Sequence, residues 1–419
     1  MNTTTYPDHW KIVSLGEVTE IVKGGTPSRK IEKYFQGENA WAIPSDITAL
    51  NSAIFINDTA SHITDEAIRK SSAKILPIGT VLLTSRATIG ETAITTIPMS
   101  TNQGFSNFIC NESLLNVFLA YYLRSIRRRL NDLASGSTFK EITKSTLLNV
   151  EIPLPPLPEQ RAIAHILQTI QEAKFTRQRE IELERERKAA LMDHLFTHGT
   201  KGEPRKQTEI GEIPESWSVV RLGESTKIVK GGTPSRSEER FFQGDIAWAI
   251  PTDITSLGET VYINETTSHI SHEGLNHSAA KLLPIGTVLL TSRATIGETA
   301  INTIPMATNQ GFTNFICTNQ LHNIFLAHYF QYKKNRLLQL GSGSTFKEIT
   351  KRTLLNVQIP LPSVTEQKLI SDIIEKIGIR IEAIKKEVVH IDELFHAMLE
   401  ELMTGKRSAE LLIEGEIDV

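Results

Sequence analysis

Cysteine is almost missing from this 419-residue chain: Cys110 and Cys317 occur alone, each closing a short apolar run that starts at Asn107 or Asn314. With no CxxC and no HExxH there is no sequence case for zinc. The two thiols read as reduced and buried, the usual fate of a free cysteine. An excess of either charge is missing too, since 45 Lys+Arg stand against 48 Asp+Glu, a net charge of −3. That balance excludes a chain coated in positive charge, and any nucleic-acid surface must be locally confined. No run of about 18 apolar residues suggests a membrane span. The polar stretch Met1–His9 lacks a signal-peptide core, so a cytoplasmic location is expected, with no membrane partner. Neither a G-x-x-x-x-G-K-[ST] loop nor a G-x-G-x-x-G between strand and helix appears. The expectation is therefore a chain with no catalytic residue, no metal and no cofactor of its own.

What the chain does contain is itself, twice. Trp10 to about Thr197 aligns with Trp217 to about Thr404 at a constant offset of 207 without a gap. Leu76–Ile94, Ser135–Lys144 and Lys23–Arg29 recur unchanged as Leu283–Ile301, Ser342–Lys351 and Lys230–Arg236. One fold and one surface chemistry are thus expected to occur twice. The first part of each repeat mixes short strands and helices. Val81–Thr84, Thr92–Ile97 and Phe105–Cys110 are β-branched or aromatic enough for strands, and helices are expected at Asp65–Lys70, Leu114–Leu133 and Lys140–Leu148.

A proline-rich break follows, Pro153–Pro158 in the first copy and Pro360–Pro362 in the second. Proline ends one element and can open a helix. Beyond it, Ile370, Ile373, Ile377, Ile381, Ile384, Val388, Ile391, Phe395, Met398 and Leu402 follow three-and-four spacing, a coiled-coil seam with one stutter. The matching first-copy positions are apolar at the ends (Ile163, Ile166, Ile170, Leu191, Leu195) and polar in the middle (Lys174, Arg177, Glu184, Lys188), with Ile181 between. About 40 helical residues span roughly 60 Å. Such a helix needs a partner for its stripe: the other copy's helix, or its own globule folded back on it.

In order, W-x-x-x-x-L-G-E (Trp10–Glu17, Trp217–Glu224), KGGTPSR, TSRATIG, TNQGF, GSTFKEIT, I-P-L-P and E-Q before a long helix resemble the specificity (S) subunit of type I restriction-modification enzymes. The resemblance covers the whole chain, twice. It implies an α+β architecture: two similar mixed α/β target-recognition globules separated by two long antiparallel helices, a coiled-coil spacer with a pseudo-two-fold internal repeat. The expected boundaries are 1–156 and 200–363 for the recognition domains, 157–199 and 364–406 for the helices, and 407–419 for a tail. The implied partners are double-stranded DNA, two methyltransferase (M) subunits that carry S-adenosylmethionine, and two restriction (R) subunits that use ATP and Mg²⁺.

Base edges are read by hydrogen-bonding side chains, while cations and N–H groups hold phosphates. The first candidate is Lys23, Gly24, Gly25, Thr26, Ser28 and Arg29, with its twin Lys230, Gly231, Gly232, Thr233, Ser235 and Arg236. Its glycines either admit a phosphate to the backbone or supply a tight turn. Ser85–Arg86 and Ser292–Arg293 offer an arginine for guanine or phosphate, or one that ties down backbone carbonyls. Asn102–Gln103 and Asn309–Gln310 carry amides suited to adenine, or make a turn. Ser137, Thr138 and Lys140, with Ser344, Thr345 and Lys347, look like a loop entering a helix that they cap or where they grip a phosphate. The basic runs Arg124–Arg129 and Lys333–Arg336 read as solvated helix faces or DNA contacts, and His62 and His269 have no evident partner. If both modules read DNA, the target is split and near-palindromic, with half-site centres about one helical turn (~10 bp) apart. Three rivals remain open: a specificity subunit for an enzyme that cuts on both sides of its site, a duplicated nuclease using Asp46 and Glu91, and a pure scaffold that binds protein partners and no DNA.

Overall fold

The computed structural model describes residues 6–51, 53–136, 140–341 and 347–409. It resolves into two compact units, Met1–Thr176 with Val388–Val419, and Arg177–Glu387. Each unit holds one globule, the opening half of the long helix that follows it, and the closing half of the other long helix.

In the first unit a five-stranded sheet runs in the order Thr19–Lys23, Phe105–Cys110, Val81–Thr84, Thr92–Thr95, Phe55–Ile56. All neighbours are antiparallel except the last pair. A small second sheet, His62–Ile63, Asn39–Ala42 and Ser100–Thr101, lies beside it. Lys11–Ser14 pairs with Glu151–Leu154, which brings the start of the globule to the root of the long helix. The second unit repeats this plan strand for strand with Thr226–Lys230, Phe312–Cys317, Val288–Thr291, Thr299–Asn302 and Tyr262–Ile263. A hairpin, Arg205–Thr208 with Gly211–Pro214, belongs to the second unit alone among the described residues. Cys110 and Cys317 are free and half-buried, and burial pushes both thiols up to about 12.

Three sequence expectations need moving, the first being the strand expected over Thr92–Ile97, which ends at Thr95. The helix expected over Leu114–Leu133 is two, Asn116–Ser125 and Arg127–Leu133, broken at Ile126. The one expected from Lys140 begins at Lys144, because Thr143 is its N-cap and accepts a hydrogen bond from the Thr146 amide. Residues before it are drawn into strand-like pairing instead: Ser135 and Glu141 exchange backbone hydrogen bonds.

The long helices run Leu157–His198 and Val364–Met403. Ile163 and Leu167 of the first, with Phe395, Leu399, Leu402 and Met403 of the second, complete the core of the first unit around Trp10 and Phe118. Met192, Leu195, Phe196, Ile370 and Ile374 do the same around Trp217 and Phe325 in the second. The buried row of the second helix therefore uses Ile374 and Leu399, while Ile373 and Met398 are only partly covered, as are Ile166, Ile170, Leu191 and Ile391. A helix covered by a globule as well as by another helix buries a wider stripe than a two-row seam. The polar middle of the first helix is matched by charge. Lys174 pairs with Asp392 in the first unit; Arg177 meets Glu387, and Arg380 meets Glu180 and Glu184, in the second.

The root of each helix is a buried carboxamide. Gln160 is fully buried; its Oε1 accepts from the Leu115 amide at 2.7 Å, and its Nε2 donates to the Ser113 and Pro155 carbonyls at 2.9 and 2.8 Å. Gln367 repeats this with His322, Gln320 and Pro362. The preceding glutamates take indole or loop partners: Trp10 Nε1 donates to Glu159, and Glu366 pairs with Lys201 and accepts from the Thr200 amide. Substituting Gln160→Leu removes three hydrogen bonds and strands the buried Pro155 carbonyl, so it should cost about 3 kcal/mol. Urea unfolding of the full chain checks this, and a change below about 1 kcal/mol would contradict it.

Candidate nucleic-acid interface

Four loops far apart in sequence meet at one edge of each globule. Gly25 N donates to Thr101 O at 2.9 Å, Ser85 N to Gly104 O at 2.7 Å, and Ile142 N to Ser85 O at 3.1 Å. Gly232–Thr308, Ser292–Gly311 and Ile349–Ser292 repeat these bonds in the second copy. The two glycines are there for close approach rather than for a left-handed turn. A Cβ on Gly24 would overlap the Asn102 carbonyl, and one on Gly25 the Ser72–Ala73 backbone. Gly231 and Gly232 are equally hemmed in. Trp41 Nε1 pins this strip by donating to Gly25 O at 3.0 Å, as Trp248 does to Gly232 O.

Beneath the loops sits an ion cluster that the sequence did not announce. Glu141 accepts from Lys23 at 3.1 Å and from Arg86 at 2.7 Å, and Lys23 also reaches Ser106 at 3.1 Å. Glu348 holds Lys230 at 3.1 Å and Arg293 at 2.8 Å in the same way. Partial burial pushes both carboxyls up, but the hydrogen bonds from the arginine and lysine outweigh it and hold them below the usual range. The one available hint was an acidic residue lodged in an otherwise basic repeated stretch, KEIT. Immediately after each arginine, Ala87 and Ala294 adopt φ of 56° and 54°. A left-handed alanine costs roughly 1 kcal/mol, and such strain gathers at functional loops.

The sequence candidates divide by exposure. Ser28, Arg29, Gln103 and Lys140, with Ser235, Arg236, Gln310 and Lys347, stand exposed. Arg86 and Arg293 are partly exposed and share one carboxylate with the lysine below. Thr26 and Thr233 are half-buried, each accepting a weak bond from the Gln103 or Gln310 amide. Asn102 and Asn309 spend their Oδ1 on the amides of Gly104 and Gly311, both at 2.8 Å. Ser85 and Ser292 are buried and donate inward. Ser137, Thr138, Ser344 and Thr345 lie outside the described residues. Helix capping falls to Thr143 and Thr350, not to this loop.

Other sequence candidates serve the fold. Arg124 is partly buried and donates to the Ala53 and Thr92 carbonyls, Arg127 pairs with Glu91, and Lys334 with Glu298. Asp46 caps the Ile43 and Ala60 amides, so neither it nor Glu91 stands as a free carboxylate. His62 does have a partner, Asp58 at 2.9 Å. Among the described residues no group of three His, Cys, Asp or Glu side chains forms a metal cluster, and no helix is long and apolar enough to cross a membrane.

The cluster predicts a pH signature. A carboxyl held below its usual range stabilises the fold above about pH 4, and loses that contribution as acid protonates it. Glu141→Gln/Glu348→Gln should therefore melt below the parent at pH 7, with the gap closing as pH falls through about 4. Calorimetry across that range checks it, and a constant gap would contradict the assignment.

Residues 7–185 and 214–391 each match the domain described as "Type I restriction modification DNA specificity domain". The "Type I restriction enzyme MjaIX specificity subunit" of Methanocaldococcus jannaschii is 29% identical over 427 residues, covering 97% of this chain and 95% of that protein. The "EcoR124I/EcoR124II specificity subunit" of Escherichia coli is 24% identical, covering 64% of each. In fold, the chain is similar to the S subunit of M. genitalium (TM-score 0.54, 16% identity, 96% and 97% covered). It is likewise similar to the HsdS subunit of Thermoanaerobacter tengcongensis (TM-score 0.52, 20% identity, 97% and 99% covered).

Proposed function

The chain belongs to the type I restriction-modification DNA specificity family, and from that premise we propose that each module reads one half of a bipartite, near-palindromic DNA target. The observation that carries this reading is the convergence of four dispersed loops on one edge, twice, with the same exposed side chains. In this reading Arg29 and Arg236, with Lys140 and Lys347, hold phosphates. Gln103 and Gln310, each at the tip of a turn braced by Asn102 or Asn309, present amides to bases. Lys23 and Lys230 act from beneath, fixing Arg86 and Arg293 through the shared carboxylate so that each guanidinium keeps its outer edge for guanine or phosphate. Where the loops differ after Arg29 and Arg236, as Lys30–Lys33 against Ser237–Arg240, the half-sites differ as well.

Residues 157–199 and 364–406 form the spacer between recognition domains 1–156 and 200–363, as an antiparallel coiled coil with pseudo-two-fold symmetry. The opposed order of the pairs Arg177–Glu387 and Glu184–Arg380 supports antiparallel packing. The partners are double-stranded DNA, two methyltransferase subunits and, in the full assembly, two restriction subunits. The chain lends sequence specificity and its partners perform adenine methylation and cleavage, so no catalytic residue is assigned here.

Mapping N6-methyladenine across a genome expressing the chain with its methyltransferase tests the central claim. The expected motif is an inverted repeat with a fixed gap, and two unrelated half-sites would overturn it. Gln103→Ala/Gln310→Ala should weaken methylation at the cognate motif by about 5- to 150-fold per half-site and relax one base in each half. Arg29→Ala/Arg236→Ala should instead lower affinity for every sequence and flatten the salt dependence by about one phosphate per half-site. Titration of the methyltransferase complex against DNA at several salt concentrations separates the two.

A further inference from the structure

The loop that leads into the edge strand Tyr262–Ile263 is tied to both long helices by one carboxylate. Glu259 accepts from Lys188 Nζ at 3.0 Å and from Arg185 Nε at 3.1 Å on the first helix, and Lys385 Nζ of the second lies 3.8 Å away. Its backbone is gripped as well. The Glu259 amide donates to Glu382 Oε1 at 3.1 Å, and Lys385 braces that carboxylate at 2.8 Å. Two glycines make the approach possible. Gly258 turns the loop at a φ of 70°, and a Cβ there would press on Glu382. Gly378 leaves the second helix bare under the Glu259 carbonyl, which a Cβ would meet at 3.3 Å. All of these residues belong to the second unit.

The first copy has no such set of residues. At the positions 207 away stand Ser52 for Glu259, Asp392 for Arg185, Phe395 for Lys188 and Gln178 for Lys385. Neither the carboxylate nor any of its three cations recurs. Lys188 and Glu259 are largely shielded from water. Burial alone would push the Glu259 carboxyl up, but the hydrogen bonds from Lys188 and Arg185 outweigh it and hold it below the usual range. Charged hydrogen bonds in such a place are strong and geometrically specific, whereas the apolar contacts around them have no direction.

We propose, and this rests on the bipartite reading above, that Glu259 is a positioning residue for target spacing. By clamping the second globule to both helices it fixes that globule's pose, and with it the gap at which two half-sites are accepted. One added or removed base pair moves a half-site by about 3.4 Å and turns it by about 35°. A globule held by directed ion pairs resists that turn, and one held by apolar contacts alone follows it at lower cost.

Methylation rates of the full chain with its methyltransferase test this, on duplexes whose gap is the preferred length or one base pair longer or shorter. The parent should prefer one gap. Glu259→Gln keeps the shape of the side chain and removes its charge, and should narrow that preference by about tenfold. Lys188→Met leaves Arg185 and Lys385 on Glu259 and should narrow it less, with the double variant no worse than Glu259→Gln alone. A variant that is only less stable loses rate at every gap alike and keeps the ratio, so unchanged ratios in both variants overturn the proposal. Hydrogen exchange at the Glu259 amide of the full chain reads the clamp without DNA. Exchange there should quicken in Glu259→Gln, and no change would overturn the clamp. A parent indifferent to gap overturns the bipartite reading and this proposal with it, whereas a parent with one preferred gap that both variants keep overturns the proposal alone.

Discussion

The buried carboxamides of Gln160 and Gln367 are the constraint from which the rest follows. Each is the second residue of an E-Q pair just inside a long helix, and each makes three hydrogen bonds to backbone at that root. An amide with three matched partners in a dry site has one low-energy pose, and any rotation of the helix root would break several bonds at once. Apolar contacts alone would not fix that rotation, since hydrophobic burial has no direction. Each globule is therefore held in a fixed orientation to the root of the helix that leaves it.

On top of that frame the recognition edge is assembled by close backbone packing. The glycine pairs let one loop lie directly against the Asn102 and Ala73 backbones, where any side chain would collide. Glu141 and Glu348 then gather two cations each from loops more than 50 residues apart. An uncompensated carboxylate at a DNA edge would repel phosphate. With Lys23 and Arg86 both attached, the cluster is net positive, and the carboxylate acts as a spacer that orients the guanidinium. Net charge near neutrality is compatible with DNA binding for this reason: the cations are placed, not numerous.

Much of this was legible in the sequence. The strands Val81–Thr84 and Phe105–Cys110 have the ends their β-branched and aromatic composition indicates, and both long helices follow from an uninterrupted proline-free stripe. The duplication identified the loops worth attention. What escaped reading was non-local. Nothing in KEIT says that Glu141 will be captured by Arg86, 55 positions earlier, or that strand-like pairing with Ser135 delays the helix to Lys144. The break at Ile126 was equally invisible, because both flanking segments have good helical composition. The paired glycines were read as a turn or a phosphate cradle, whereas their φ values stay in the ordinary range and the requirement is space. Burial at Ile374 and Leu399 in place of Ile373 and Met398 reflects a helix serving a globule as well as another helix.

The divergence between the copies is itself informative. The candidate loops Lys23–Arg29 and Lys230–Arg236 keep the same letters, yet the triads Tyr121–Gln171–Phe395 and His328–Gly378–Lys188 share none. Losing a tyrosine, a glutamine and a phenylalanine from equivalent interior places removes far more packing than a stable fold gains from isolated substitutions. The second unit offsets part of that loss with charge, holding Glu259 between Arg185 and Lys188 and with Lys385 nearby. Lys188 and Glu259 are only 12% and 14% exposed, so removing either partner would leave a poorly solvated charge. The two globules are thus joined to their helices by different contacts, a phenol, a carboxamide and a phenyl ring in the first unit and an ion cluster in the second.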